Sequence, residues 1–252
     1  MNRDHFWLSD RQFAKLKPHL PTDTRGKPRV DDRRVISGII HVIKSGGRWV
    51  DAPACLRSAK DALQPLPALG RQRHLERDIQ RLGQCWRTTS TVAHRFLGCS
   101  CASQCGGRKK GELNQAIGRS RGGRTTKIHA LTDGMCRPVA FLLTGGNVAD
   151  CKAGEVLIDR MPATSLLNAD KGYDSDAIRR QVRQRGAFAN IPPKANRTWK
   201  NCFSPYLYRD RNAIERMFCR LKDFRRIATR YDRLATNFLA AVCIAATVSY
   251  WL

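Results

Sequence analysis

The chain has 252 residues and a formal net charge of +25, a length that suits one substantial domain together with a small one. Self-repulsion of that size calls for a polyanionic partner, and nucleic acid is favoured because Lys and Arg contacts to phosphates release counterions. A membrane partner is disfavoured, since no lysine-rich amphipathic helix or charged tail stands out and the longest apolar run, Phe238 to Leu252, is shorter than a bilayer crossing requires.

Residues 1–53 are predicted to form a small helical unit. Ser9 and Asp10 cap a first helix that ends at Pro21. Asp31 and Asp32 open a second helix with apolar residues at helical spacing, which ends at Gly46. Two short basic helices are typical of a helix-turn-helix that contacts DNA, although any small helical cap has the same pattern. Charged residues interrupt the first ten positions, so no secretory signal is visible and we expect a cytoplasmic protein.

The character of the chain changes over residues 54–107. Acidic residues fall to three, helical periodicity fades, and no strand alternation replaces it. Five of the ten cysteines lie here without the paired spacing of a zinc site, and a disulfide framework is disfavoured in a reducing compartment. We therefore predict an atypical, poorly ordered segment.

Residues 108–252 have the alternating pattern of an α/β domain. The run Gly118 to Arg124 is predicted to be a flexible basic loop, which either lies along phosphates or is a solvated linker. Two strands follow, Thr125–Leu131 and Pro138–Thr144, joined by a turn in which Asp133 is assigned a structural role. Lys127 lies on the first of these strands.

A short apolar strand, Ser165 to Ala169, ends at Asp170. An acid at the point where a buried strand opens into a glycine-containing loop occupies the position where α/β sites usually lie. The alternative is an Asp that caps the next helix, and Asp174 suits that cap better. A rigid turn carrying Lys194 follows the next predicted strand.

The stretch from Tyr208 to Lys222 is predicted to be one helix with a site on one face. Four chemically useful side chains fall within about 60° of arc, namely Tyr208, Arg211, Glu215 and Lys222. The apolar residues Ile214, Met217, Leu221 and Phe224 occupy a roughly opposed face. A carboxylate flanked by two cations predicts a site, whereas the alternative is a surface helix with an Arg211–Glu215 ion pair.

This spacing resembles the Y-R-E-K signature of bacterial insertion-sequence transposases of the DDE class. The run Asp170-Lys171-Gly172-Tyr173-Asp174 is similar to the second catalytic motif of that family, and the runs at 46–53, 192–197 and 223–232 are also similar to it. The resemblance implies an α/β fold in which helices flank an RNase H-like mixed sheet, with residues 108–252 as the catalytic domain and residues 1–53 as the helix-turn-helix-like unit.

The same resemblance implies the chemistry of the site. Asp170 and Glu215 would bind Mg²⁺ (or Mn²⁺), and their carboxylates are predicted to lie within about 10 Å of each other. The implied DNA contacts are Tyr208, Arg211 and Lys222, to which the basic pattern adds Arg124, Lys127 and Lys194. The implied partners are double-stranded DNA, as insertion-sequence ends and as target, and a second copy of the chain in a homodimer on DNA. The protein would then be associated with the nucleoid.

Such a site takes three carboxylates, and only two stand in matching positions. By alignment the first Asp falls at Arg95 and Phe96, where no acid is near. Residues 55–107 match nothing in the family, although both flanks do. With suitable codons, a reading frame one base later converts residues 93–105 into a run that begins with a family-like Arg-Ile-Asp-Ser-Ser-Val-Val, and the same offset gives a family-like run from residues 55–70. We therefore predict a frame-slipped segment in which the first strand of the sheet and the first carboxylate are lost.

Three functions remain open at this point. The first is a DDE transposase that is catalytically inactive in this translation. The second is a DNA-binding remnant without catalysis, such as a repressor. The third is an RNA-binding accessory protein, which only the charge suggests, because no aromatic-rich RNA-binding strand is present in the sequence.

Overall fold

A computed structural model describes residues 5–20, 31–56, 94–103, 115–209 and 212–252, with residues 94–103 described by their backbone alone. The strands are β1 His94–Ser103, β2 Gly118–Ser120, β3 Gly123–Thr132, β4 Pro138–Gly145, β5 Leu166–Ala169, β6 Phe188–Asn190 and β7 Thr229–Arg230. The helices are α1 Asp10–Leu16, α2 Asp32–Ser45, α3 Asp150–Asp159, α4 Asp176–Gln184, α5 Pro205–Tyr208, α6 Asn212–Lys222, α7 Arg225–Ala228 and α8 Ala235–Tyr250.

The strands form one mixed sheet with the order β4-β3-β1-β5-β6. Strand β3 is antiparallel to both β4 and β1, whereas β1, β5 and β6 are parallel. Strand β2 pairs with the first residues of β3, and β7 pairs with the end of β1. Three antiparallel strands followed by two parallel ones is the RNase H-like arrangement, and the expected fold class is confirmed.

Strand β1 lies in the middle of this sheet, so the prediction that the first strand is lost is wrong. It hydrogen-bonds to β3 from Arg95 to Ala102 and to β5 from His94 to Phe96. Backbone hydrogen bonds to the strands on both sides hold this segment as a strand although its side-chain alternation is weak, and side-chain periodicity does not report such pairing.

Helices cover both faces of the sheet. On one face, Ile128 and Phe141 share a hydrophobic cluster with α6 and α8. On the other face, Leu131 and Leu167 pack against Leu157 of α3 and other apolar residues of α3 and α4. Helix α8 is buried over most of its length, as predicted for the terminal apolar run. None of the helices in the described parts of the chain combines the length and apolar content that a bilayer crossing needs.

The described residues of the N-terminal helices share a hydrophobic cluster with helices α6 and α8. Ile40 and Ile43 of α2 belong to the same cluster as Leu221 of α6 and Phe238 of α8. Every residue of α2 from 32 to 43 is buried or half-buried, and within this helix Lys44 and Ser45 alone are exposed. A recognition helix has to present a face to the major groove. Helix α2 therefore has little surface for that role, although DNA contact by the rest of residues 1–53 stays a prediction.

The predicted single helix from Tyr208 to Lys222 is wrong at its first turn. Tyr208 is the last residue of the short helix α5, which starts at Pro205 with the Ser204 hydroxyl as its cap. The next described helix is α6, Asn212–Lys222, and Arg211 lies outside the described residues. Ser204 followed by Pro205 is a helix start signal, and it places Tyr208 at a helix end.

Candidate active site

Asp170 lies at the carboxyl end of β5, next to the central strand. The Cα partners across the parallel pair are Arg95 with Asn168 and Phe96 with Ala169. The position that alignment gives to the first Asp is therefore beside Asp170 in space, as the RNase H-like order requires. Because Arg95 and Phe96 carry no carboxylate, the sheet supplies one acid at this point where the family pattern has two.

Tyr208 is brought directly to Asp170. Its hydroxyl donates to Oδ1 of Asp170 at 2.8 Å, and its ring packs edge-on against Phe203 with centroids 5.2 Å apart. Both Tyr208 and Asp170 are half-buried. Although the predicted helical line of four residues is broken, the structure joins a residue of the Y-R-E-K pattern to the acid of the second motif.

Two buried amides hold α5 against the ends of the parallel strands. Nδ2 of Asn190 on β6 donates to Oδ1 of Asn168 at 2.8 Å and to the carbonyl of Ser204 at 3.1 Å. Oδ1 of Asn190 accepts from the backbone N–H of Ser204 at 2.8 Å. Sequence analysis missed this pair, whose signal is an Asn inside each of two short, otherwise apolar strands.

The residues after Asp170 are anchored to the sheet. The Tyr173 hydroxyl lies 2.7 Å from Nδ1 of His129, and Nε2 of His129 lies 2.8 Å from the hydroxyl of Thr144. Burial, followed by the charges of Asp150 and Asp170, raises the pKa of Tyr173. Burial lowers the pKa of His129 to about 4. Both groups are therefore neutral at pH 7 and form an uncharged link between β3 and the loop.

Asp174 is a buried ionic hub, and the prediction that it caps the next helix is wrong. Ser175 caps α4 by accepting from the N–H of Ile178. The Asp174 carboxylate accepts from Nε of Arg179 at 2.9 Å, from Nε of Arg197 at 2.6 Å and from the backbone N–H of Lys194 at 2.9 Å. Burial acts to raise the pKa of Asp174, but these hydrogen bonds outweigh burial and leave the pKa below its ordinary value.

Lys127 is engaged within the protein. Its Nζ donates to the carbonyl of Val148 at 2.8 Å and to Oδ1 of Asp150 at 2.9 Å. Gly172 lies so close that a Cβ there would be 2.7 Å from Oδ2 of Asp150. Lys127 therefore joins β3 to the start of α3, where Asp150 lies against Gly172 of the loop after Asp170, while the predicted contact of Lys127 with DNA stays a prediction.

Helix α6 confirms the predicted division into two faces. Ile214, Met217 and Leu221 are buried, whereas Glu215 and Lys222 are exposed and lie seven residues apart. Helix α6 packs against β1, the neighbour of β5. The predicted closeness of Asp170 and Glu215 stays a prediction. Among the described residues, no three His, Cys, Asp or Glu side chains gather closely enough to hold a metal ion.

The predicted basic loop at 118–124 is instead a β-hairpin. Strands β2 and β3 meet at a two-residue turn, in which Arg121 is exposed. Arg119 and Arg124 are Cα partners across the hairpin and are both exposed. Like charges directly opposite each other are destabilising. An anionic partner at this hairpin would remove that repulsion.

A polar pocket of about 610 Å³ lies between the start of α4 and the loop at 194–201. Lys194, Asn196 and Trp199 line it, and the Trp199 side chain is 79% exposed. Arg197, which is bound to the Asp174 hub, fixes the loop that carries these side chains. Exposed aromatic rings beside cations are typical of surfaces that bind nucleic acid.

Two family models match the chain. A model described as "Transposase DDE domain" matches residues 83–250, and a model described as "Putative transposase of IS4/5 family" matches residues 8–77. The chain therefore belongs to the insertion-sequence transposases with a DDE domain. Within residues 55–107 the two matches leave only residues 78–82 uncovered, so the prediction that this segment matches nothing in the family is wrong.

Two relatives that are themselves named as putative insertion-sequence transposases agree with this family assignment. The chain is 32% identical to a putative transposase for insertion sequence element IS6501 of Brucella ovis, over 51% of this chain and 98% of that protein. It is 33% identical to a putative transposase for IS402 of Burkholderia cepacia, over 44% of this chain and 55% of that protein.

Solved structures similar to the chain include the Mos1 mariner paired end complex with Mn, at 11% identity and a TM-score of 0.28, covering 92% of this chain and 82% of that one. The Mos1 strand transfer complex has 11% identity and a TM-score of 0.27, over 96% and 86% of the two chains.

Proposed function

We propose that this insertion-sequence transposase binds double-stranded DNA and, in the form given by this sequence, does not cleave it. The observation that carries the proposal is the register of β1 on β5, which puts Arg95 and Phe96 beside Asp170 where a carboxylate is needed. The family resemblance implies that DNA cleavage requires two metal ions, about 3.5–4 Å apart, held between carboxylates. A guanidinium or a phenyl ring supplies no ligand for a cation.

The donor set fits a single divalent cation better than a pair. Asp170 and Glu215 offer hard carboxylate oxygens, and Mg²⁺ is commonly held by one or two carboxylates together with water and substrate phosphates. We assign Asp170 and Glu215 as the ligands of Mg²⁺ or Mn²⁺. Such an ion, when bound, would neutralise charge on a phosphate oxygen at the site. The chain's own residues would orient these two carboxylates and hold the DNA.

Binding to DNA is supported by the distribution of exposed cations. The arginines of the β2–β3 hairpin, including Arg124, face solvent, as does Lys222 on α6. Lys194 lies on the loop fixed by Asp174. We propose these residues, together with Arg211, as phosphate contacts for insertion-sequence ends and target DNA, with a second copy of the chain in a homodimer on DNA. Such binding would associate the protein with the nucleoid.

A non-catalytic DNA-binding role, such as repression of the element, is the second candidate. The missing acid at position 95 favours it, because affinity for phosphates does not depend on the cation site. We also propose that residues 55–107 are frame-slipped, and the nucleotide sequence around codons 55 and 107 tests that origin directly. A gene that carries no compensating pair of shifts there would remove this explanation.

The experiment is a footprinting assay combined with a cleavage assay on the ends of the parent element. We expect protection of the ends without strand cleavage in Mg²⁺ or Mn²⁺. Cleavage that is abolished by Glu215→Gln would show that a third ligand lies elsewhere in the chain. Absence of any protection, at low salt and at high protein concentration, would contradict the DNA-binding part of the proposal.

A further inference from the structure

The hydrogen bond from Tyr208 to Asp170 is part of a closed circuit of contacts. The Tyr208 hydroxyl donates to Oδ1 of Asp170 at 2.8 Å. Helix α5, which ends at Tyr208, is capped by Ser204, and the backbone of Ser204 is bonded to Asn190 through both its N–H and its carbonyl. Asn190 in turn donates to Asn168, two residues before Asp170. The circuit therefore leaves β5, passes through β6 and α5, and returns to β5.

The burial of this circuit shows that it is built into the fold. Asn190 is 0% exposed and Asn168 is 4% exposed. Both N–H groups of the Asn190 amide are donated and its oxygen accepts one hydrogen bond, so neither the donors nor the oxygen of that side chain is left unsatisfied. A satisfied buried amide has few alternative arrangements, because each lost bond would leave a polar group unpaired. The backbone at the start of α5 is thus fixed relative to β5, and Tyr208 is fixed with it.

We propose that Tyr208 is a positioning residue, whose hydroxyl holds the Asp170 carboxylate in one orientation for a divalent cation. The inference rests on the proposed function, because it takes Asp170 as a cation ligand. It gives Tyr208 a role other than the DNA contact that the sequence pattern assigns. A hydrogen bond from a hydroxyl to an ionised carboxylate is roughly twice as strong as one between neutral groups, and it favours one orientation of the acceptor. Partners that orient a metal ligand in this way typically raise metal affinity by about 10–100-fold.

The test is Mn²⁺ binding to the whole chain. Binding is measured as the decrease in the electron paramagnetic resonance signal of free Mn²⁺. Asp170→Asn defines the part of the binding that depends on Asp170. Tyr208→Phe removes the hydroxyl and keeps the ring that packs against Phe203. Tyr206→Phe is the matched control. It also removes a tyrosine hydroxyl, two residues away in the chain, and the Tyr206 side chain is 74% exposed.

We expect Tyr208→Phe to weaken the Asp170-dependent binding of Mn²⁺ by about tenfold or more, and Tyr206→Phe to leave it unchanged. Tyr208→Gln, which restores a donor without the ring, should recover part of the affinity. Such recovery would not follow if Tyr208 acted by packing alone. If Tyr208→Phe loses its cooperative thermal transition, the Mn²⁺ affinity of Tyr208→Gln decides between positioning and packing.

Two results would overturn the inference in different ways. If Asp170→Asn lowers Mn²⁺ affinity and Tyr208→Phe binds as tightly as the wild type or more tightly, the hydroxyl does not position the ligand, while Asp170 keeps its proposed role. If Asp170→Asn binds Mn²⁺ like the wild type, no cation is held at Asp170, and the proposed cation site fails together with the role of Tyr208.

Discussion

Replacing Arg95 by Asp should restore a cation site at the centre of the sheet. Position 95 is the Cα partner of Asn168, and Asp170 is two residues further along β5. With a rise of about 3.3 Å per residue and about 4.8 Å between strands, the Cα atoms of positions 95 and 170 are roughly 8 Å apart. Two ions about 3.5–4 Å apart, each about 2.0–2.1 Å from its ligand oxygens, span a similar distance. The backbone register therefore suits two carboxylates that share a pair of ions.

The expected gain can be sized from charge alone. The change from Arg to Asp makes the site more negative by two units. At about 6 Å and an effective dielectric constant of about 20, each pair of unit charges interacts by roughly 3 kcal/mol, about a hundredfold in affinity, and a two-unit change acting on a divalent ion exceeds this value before screening. Allowing for solvent screening, we expect Mn²⁺ affinity to rise at least tenfold. If the rest of the site is intact, Mg²⁺-dependent cleavage of the element's ends should appear as well.

The control is Arg95→Asn, which removes the cation and adds no carboxylate. The measurements are Mn²⁺ affinity and strand cleavage, on variants that unfold cooperatively and protect DNA in a footprint. If Arg95→Asp binds Mn²⁺ no better than Arg95→Asn, position 95 is not where the first carboxylate belongs, and the reasoning from strand register is refuted.

Two further predictions concern the scaffold and the basic hairpin. Asp174→Asn should lower the free energy of unfolding by about 3 kcal/mol at pH 7, measured by urea denaturation, because it leaves the buried Arg179 without its carboxylate. Since the folded-state pKa of Asp174 is lowered, its contribution is fully present above the ordinary Asp pKa and is lost as the pH falls through the lowered value. The wild type should therefore lose stability in acid more steeply than Asp174→Asn, and equal slopes would contradict the hub. Replacing Arg119 and Arg124 together by Ser should reduce the slope of log K against log salt for duplex DNA by about 1.8, at about 0.9 for each phosphate contact. The control is Arg183→Ser on α4, and an unchanged slope in the double variant would show that the hairpin does not contact phosphate.

Some of the protein was determined by local sequence signals. The cap of α1 at Ser9, the end of α2 at Gly46 and the strand leading to Asp170 all lie where turn and capping residues predict them. The buried face of α6 follows from its 3.6-residue period. These features depend on residues a few positions apart, which is the range over which capping, turn chemistry and amphipathic spacing act.

Other features were decided by tertiary structure. Strand β1 is ordered by pairing with β3 and β5, although its own side-chain pattern is weak. Asp174 became an ionic hub because Arg179 and Arg197 approach it from two segments. Tyr208 hydrogen-bonds to Asp170, which is 38 residues away in the chain, because the fold brings α5 to the end of β5. Each of these depends on groups far apart in the chain, whose meeting is set by strand order and packing, and no local pattern in the sequence reports it.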